Sequence, residues 1–401
     1  MQALHTFLNS TPFDTVMQKM KEDLQVAVKK GDNNCYLFNY EDDAPRGHPI
    51  VDGCRGTIWK VNQDKTEWVC VRSAMDRFFN LGEIVDNVDT NLKQDEPFSL
   101  QEKLDGTLVL LYWNNDKQEW ILGTRNTFDC TDINVRGNQN MKQVFDSVFF
   151  TGAGASPAIT SAPAAPAVAA KIDLPDSYKK YTFLFELCSP YNQVVVYHPL
   201  TNVTLLSVRE NSFPYLESDI MSFKSFKSFK KATQFSFKSI DEAKDYIETR
   251  FKNGNSFEGM IVVQGLIENP RRLKLKSKGF VTLAHSPGGN LKAIPEEQIV
   301  KALLKGKNEL AELLTYYPEW SNLSQQIEKR YDSFCQKVAN CQKDLKTDDN
   351  LDKDSRAKLA KLAKESVYPP YFFALMSKKA TNLNEYLLNI KDFSIVVKLF
   401  T

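Results

Sequence analysis

The chain has 401 residues, enough for two or three domains each with its own core. Lys and Arg number 51 against 50 Asp and Glu, a formal net charge of +1, so any nucleic-acid surface must be a local patch on a balanced protein. Seven scattered cysteines form no Cys-x-x-Cys pair, which argues for a reducing compartment and against structural zinc.

No apolar run approaches membrane-spanning length, and the N-terminus lacks a signal peptide's basic start and apolar core. A soluble intracellular protein with no membrane partner is expected. Residues 12–30 read as a short amphipathic helix ending at Lys29-Lys30-Gly31. From about 35 to 285 the texture is strand. Thr57–Val61, Trp68–Arg72, Leu108–Trp113 and Met260–Val263 are rich in β-branched and aromatic residues and are bounded by polar turns. Short strands with long loops predict antiparallel sheets rather than alternating βαβ units.

Two segments stand out by composition. Residues 151–170 are Ala/Pro/Ser/Gly-rich without periodicity and read as a disordered insertion. Ser222–Lys231 interleaves Phe223, Phe226 and Phe229 with Lys224, Lys227, Lys230 and Lys231. Such a mixture can stack bases and hold phosphates. The plainer reading is a local element with a buried Phe edge and a solvated Lys edge.

After about Pro295 the spacing becomes helical, over Glu296–Leu314, Leu323–Leu345, Asp352–Ser366 and Tyr371–Lys391. The expected organisation is a domain over 1–290 and an all-α domain over 291–401. Arg356, Lys358, Lys361 and Lys364 make either an RNA-binding face or a solvated helix face.

The chemistry centres on Lys103-Leu104-Asp105-Gly106. A lysine can attack the α-phosphate of a nucleotide only as the neutral amine, a state that a free lysine holds roughly once in 2,500 molecules at pH 7. Neighbouring cations and desolvation raise that fraction. The phosphates need positive charge, and a divalent metal needs oxygen ligands. If Leu273-Lys274-Leu275-Lys276 is a strand, both lysines project from one face. Glu186 ends the alternating segment from Thr182, and Glu258 directly precedes the strand at 260–263. These carboxylates suit ribose hydroxyls or a hydrated metal. Arg55 offers a guanidinium, and Arg77-Phe-Phe79 combines a cation with rings able to sandwich a purine. Each piece alone has a bland reading as half-exposed strand, surface charge, turn or core.

Together, and in this order, Arg55-Gly, Arg77-Phe-Phe-Asn-Leu, Lys103-Leu-Asp-Gly-Thr, Phe185-Glu186, Glu258-Gly and Lys274-Leu-Lys276-Ser resemble the covalent nucleotidyltransferases. The finer text resembles the RNA ligase 1 family of T-even bacteriophages. That resemblance implies an α+β fold: an antiparallel-sheet nucleotidyltransferase (ATP-grasp-like ligase) domain followed by an all-α C-terminal domain. It implies Lys103 as the nucleophile that becomes AMP-lysine, with Asp105 and Gly106 shaping its loop. Glu186 would hold the ribose, Phe79 would stack on adenine, and Lys274 and Lys276 would contact the α-phosphate. Glu258 would help position Mg2+ or Mn2+, with Asp105 assisting through water. Arg55 would serve the RNA-dependent steps, and Arg77 and Arg125 would bind nucleotide.

The family carries lysine where Arg77 and Arg125 stand and tyrosine where Phe280 stands, so the geometry at those three positions differs. The implied activity is ATP-dependent joining of RNA 5′-phosphate and 3′-hydroxyl ends, on tRNA-like or single-stranded substrates in RNA repair. A monomer is expected, in the host cytoplasm if the source is viral. An RNA-capping guanylyltransferase and a non-catalytic RNA-binding module are the alternatives. The lack of a recognisable oligonucleotide-binding barrel after residue 280 counts against capping.

Overall fold

Alternating apolar segments bounded by turn residues fold into antiparallel sheets, in a computed structural model that describes residues 1–94, 96–150, 172–252, 257–285, 294–344 and 360–401. The fold is mixed α and β, with antiparallel sheets and a helical C-terminal region. Two compact units are present, Met1–Phe280 and Val281–Thr401. Among the described residues no helix is long and apolar enough to cross a membrane. The expected insertion at 151–170 and the candidate RNA contacts Arg356 and Lys358 lie outside the described residues.

In the first unit, β1 (Val26–Lys30), β2 (Cys35–Tyr40), β3 (Arg55–Val61) and β4 (Trp68–Arg72) form one four-stranded sheet in chain order. A second four-stranded sheet contains β5 (Phe98–Lys103). A larger sheet contains β6 (Thr107–Asn114) and β7 (Glu119–Thr124), and β8 (Asn134–Val135) and β9 (Gln139–Asn140) form a separate small hairpin. The larger sheet continues through β10 (Tyr181–Cys188), β11 (Asn202–Glu210) and β12 (Glu217–Ser218), in the order β12-β11-β10-β6-β7, with β13 (Lys230–Lys231) added in parallel on β11. The sheet that holds β5 is completed by β14 (Gln234–Phe235), β15 (Gly259–Gln264) and β16 (Arg271–Lys276), in the order β14-β5-β15-β16. Leu273 and Leu275 of β16 are buried with Ala243 and Ile247 of the helix Ile240–Lys252. Burial of each leucine contributes about 1.5–3 kcal/mol, which fixes Lys274 and Lys276 on the opposite face of β16.

The N-terminal expectation needs correction. The helix runs only from Phe13 to Glu22, and Val26–Lys30 is a strand paired to β2. Gln25 adopts φ +49°, a left-handed residue that stops the helix. The Val-Ala-Val alternation then satisfies a sheet edge.

In Ser222–Lys231 the plainer reading holds, because Phe223, Phe226 and Phe229 are all buried in the core of the larger sheet. In the second unit, helices cover Pro295–Lys305, Lys307–Tyr316 and Ser321–Asp344. Gly306, at φ +135°, separates the first two. The segment expected as one helix from Tyr371 to Lys391 is two, Pro369–Met376 and Leu383–Leu388. Lys378 at φ +55° ends the first, and the Asn382 side chain caps the second.

Candidate active site

Strand register assembles the centre of the site. Gly259 at the start of β15 pairs with Lys103 at the end of β5 on one side and with Lys276 at the end of β16 on the other. Two lysines therefore flank one glycine, and Glu258 immediately precedes it. Lys103 Nζ lies 2.6 Å from Glu258 Oε1, and Lys276 Nζ lies 3.4 Å from the same oxygen. Glu258 is 4% exposed, and its Oε2 has no hydrogen-bond partner among the described residues. A Cβ on Gly259 would run into the Leu275 carbonyl, so the close approach of β15 and β16 requires glycine there. Ser277, fully buried, donates its N–H to the Glu258 carbonyl at 3.0 Å and holds the carboxylate's backbone against the end of β16.

The loop after Lys103 is held from the other sheet. Gly106 N–H donates to Glu186 Oε1 at 3.0 Å. Asp105 Oδ2 accepts from the backbone N–H groups of Val195 and Val196, and the Asp105 carbonyl lies 2.8 Å from His198 Nε2. Asp105 thus pins the β10–β11 loop to the lysine loop. Burial pushes the Glu186 carboxyl up to about 7, and nearby Glu258 adds to this against Lys103, the Gly106 N–H and Arg55. Burial likewise raises Asp105, helped by Glu258 and opposed by its two backbone donors.

A cavity of about 570 Å³ opens over these groups, lined by Arg55, Lys103, Gly106, Arg125, Glu186, Lys274 and Lys276. That volume suits a mononucleotide-sized ligand. Cations gather around the Tyr40 hydroxyl. Arg125 Nη1 donates to it at 3.2 Å, Arg55 also bonds it, and the Arg77 guanidinium stands 4.3 Å from the ring centroid. Burial alone would raise the phenol, but Arg55, Arg125, Arg77 and Lys274 outweigh it and bring it down to about 8. Burial lowers Arg55, and Arg125 adds to the effect. Arg55 Nη1 and Arg77 Nη1 are buried without hydrogen-bond partners among the described residues. Several cations converging on one phenol can hold a polyanion.

Arg72 explains how Arg55 and Arg125 come together. It is fully buried and donates through Nε to the Gly56 carbonyl at 3.0 Å, through Nη1 to Thr127 at 3.0 Å and through Nη2 to Thr124 at 2.9 Å. Burial brings it down to about 10. Its fork ties the backbone after Arg55 to the turn that carries Arg125. Gly56, at φ +81°, would place a Cβ 2.6 Å from Arg125 Cα, so these two arginines are set on touching backbones.

Phe79 does not take the place expected for it. It is 5% exposed and lines a smaller cavity of about 190 Å³ together with Arg77, whereas Phe78 lines the main one. The reason is backbone pairing. Lys274 N–H donates to the Phe79 carbonyl and Leu81 N–H to the Lys274 carbonyl, both at 2.8 Å. An extended segment sends adjacent side chains to opposite faces. Arg55 and Lys274 stand over the Phe78 ring at 5.5 and 5.6 Å.

Lys361 and Lys364 belong to the second unit, both exposed on a helical segment. Among the described residues no group of three His, Cys, Asp or Glu is arranged for a metal. The donor set still fits magnesium, which takes one or two carboxylates and fills its remaining positions with waters and substrate phosphates. With Asp105 Oδ2 engaged by two backbone donors, Glu258 Oε2 is the buried oxygen best suited to it. Sequence reasoning missed Tyr40, Arg72 and His198, and it included Phe78 only as one of the two rings able to sandwich a purine.

A family model described as RNA ligase matches residues 53–279, more than half of the chain. No curated protein matched the sequence. Among solved structures the chain is similar to an archaeal ATP-dependent RNA ligase in two forms. Form 2 has 12% identity, covering 92% of this chain and 79% of that one, at a TM-score of 0.42. Form 1 has 14% identity, covering 95% and 83%, at 0.43.

Proposed function

The chain belongs to this RNA ligase family, and on that premise we propose that it seals RNA 5′-phosphate and 3′-hydroxyl ends with ATP in three steps. First, the Lys103 ammonium releases a proton to solvent and the resulting amine attacks the α-phosphorus of ATP; a P–N bond forms, and the P–O bond to pyrophosphate breaks. Next, the AMP passes to an RNA 5′-phosphate, forming a 5′-5′ pyrophosphate and restoring the amine. Finally, an RNA 3′-hydroxyl attacks the donor phosphorus, forming the phosphodiester and expelling AMP.

The observation that carries this reading is the row Lys103–Gly259–Lys276 with Glu258 bonded to both lysines, facing the cations around Tyr40. Lys103 rests as an ion pair, so Glu258 holds the nucleophile in position until phosphates enter. Lys274 and Lys276 would then meet the α-phosphate, and Arg55, Arg77 and Arg125 would neutralise the leaving pyrophosphate. Glu186, at the base of the cavity, would take the ribose hydroxyls. Phe78, which lines the cavity, would take the base. A divalent cation, Mg2+ or Mn2+, bound at Glu258 would supply further charge neutralisation on the phosphates. RNA repair on tRNA-like or single-stranded substrates is the corresponding role, with the helical unit assisting in substrate choice and the chain acting as a monomer.

The test is covalent labelling. The protein is incubated with α-labelled ATP or GTP plus magnesium and resolved by denaturing electrophoresis. Label from ATP that disappears in Lys103→Ala is the expected result. Label from GTP alone would indicate a capping enzyme, and label from neither would indicate a binding module.

A further inference from the structure

The Ser-Phe-Lys repeat at 222–231 has a geometry that its buried phenylalanines only half explain. Backbone bonds run with a period of three: Phe226 N–H to the Phe223 carbonyl, Lys227 N–H to Lys224, and Phe229 N–H to Phe226. At three residues per turn, residues at i and i+3 eclipse. Phe223, Phe226 and Phe229 are all buried in the core, while Lys224, Lys227 and Lys230, one after each phenylalanine, are all exposed. The three ammonium groups make no ion pair among the described residues. A core needs the phenylalanines. It does not need a lysine after each one.

The row also leads somewhere. Lys230 begins β13, which pairs with β11 at Thr204, and Leu206 of β11 lines the main cavity. Two residues beyond Lys230, Ala232 lines the same cavity. Thr233 then accepts the Glu102 N–H at 2.8 Å and donates its hydroxyl to Glu102 Oε2 at 2.6 Å, directly beside Lys103. One end of the lysine row is thus fastened to the strand that carries the nucleophile. Along the chain the nearest carboxylates are Glu217 and Asp219 before the row and Asp241 after it, and Glu102 at the cavity rim is tied to the segment through Thr233.

We propose that Lys224, Lys227 and Lys230 form a track for the phosphodiester backbone of the RNA strand whose end occupies the cavity, an inference that rests on the ligase reading. The rings are turned inward, so base stacking plays no part and recognition is electrostatic and independent of sequence. An acidic protein surface would not require the row to end at the cavity, which is why RNA is the favoured partner.

The test uses the full chain carrying Lys224→Gln, Lys227→Gln and Lys230→Gln, with a second variant in which the same three positions are arginine. Two quantities are measured: self-adenylylation from ATP alone, and binding of a 5′-phosphorylated oligoribonucleotide across a salt series. Three lost phosphate contacts at about 0.7 each should make the slope of log affinity against log salt shallower by about two. Adenylylation should be unchanged, and the arginine variant should keep the parental slope. An unchanged slope with adenylylation intact would overturn the track. So would an unchanged RNA slope accompanied by loss of binding to polyglutamate, which would assign the row to an acidic protein. If the parent chain takes no label from ATP, it is the ligase reading that fails.

Discussion

Glu186→Gln separates the energetic burden of the site from its chemistry. The Glu186 carboxyl is held from its ordinary 4.5 up to about 7. The folded chain therefore binds this proton more tightly than the unfolded chain, and charging the group works against folding. The penalty is absent below about pH 4.5, grows as pH rises toward 7 and is full above it. A displacement of that size corresponds to roughly 3 kcal/mol, and residual solvent contact reduces it to about 1–3 kcal/mol. Glutamine keeps an oxygen for the Gly106 N–H, so only the charge is removed. At pH 8 and without nucleotide, the variant should melt about 2–5 °C above the parent, measured by scanning calorimetry, and the gain should vanish at pH 4. Adenylylation from ATP should fall, because the ribose loses its charged acceptor. This is the exchange of stability for activity expected of a buried active-site carboxylate. A variant no more stable than the parent at pH 8 would refute the reasoning.

Gly106→Ala should lower adenylylation by about 100-fold, since its Cβ would lie 2.5 Å from the Leu187 carbonyl and 2.8 Å from Cys188 Sγ. Circular dichroism should show the fold retained. In a tyrosinate absorbance titration, one phenol should ionise near pH 8 and be absent from Tyr40→Phe. A non-hydrolysable ATP analogue should move that titration upward by neutralising the surrounding cations; no movement would mean that the triphosphate binds elsewhere. Arg72→Met leaves the carbonyls of Gly56, Thr124 and Thr127 without their donor. It should destabilise the chain by about 3–5 kcal/mol in urea unfolding.

What the sequence made legible was local. The Leu273–Lys276 alternation was sufficient to set two ammonium groups on one face, because the period of a strand is two and the leucines had a core to enter. The Phe/Lys repeat disclosed its two edges for the same kind of reason. Tyr40 and Arg72 were not legible. Arg72 ends a strand like any surface arginine, and its burial depends on carbonyls 16, 52 and 55 residues away. Helix ends at Glu22 and Met376 were missed because a left-handed Gln25 or Lys378 has no strong signature in composition.

Register is the quantity on which the site depends most. If β16 slipped by one residue against β15, leucines would face the cavity and lysines would enter the core. The segment after Arg77 opposes that slip. Asn80 forms a bridge to Lys274, flanked by the backbone bonds of Phe79 and Leu81, so the phenylalanine segment serves as a further strand on the edge of β16. Asn80 is itself fixed, since its N–H and Nδ2 donate to Glu83 Oε2 at 2.6 and 2.8 Å, and Glu83 pairs with Arg46. Farther along β16, Arg272 holds Glu217 through two bonds of 2.6 and 2.7 Å. Of the two phenylalanines first read as a purine clamp, only Phe78 reaches the main cavity. Asn80, buried with Glu83, instead keeps Lys274 and Lys276 opposite Lys103, so substitutions there should disturb catalysis without touching substrate.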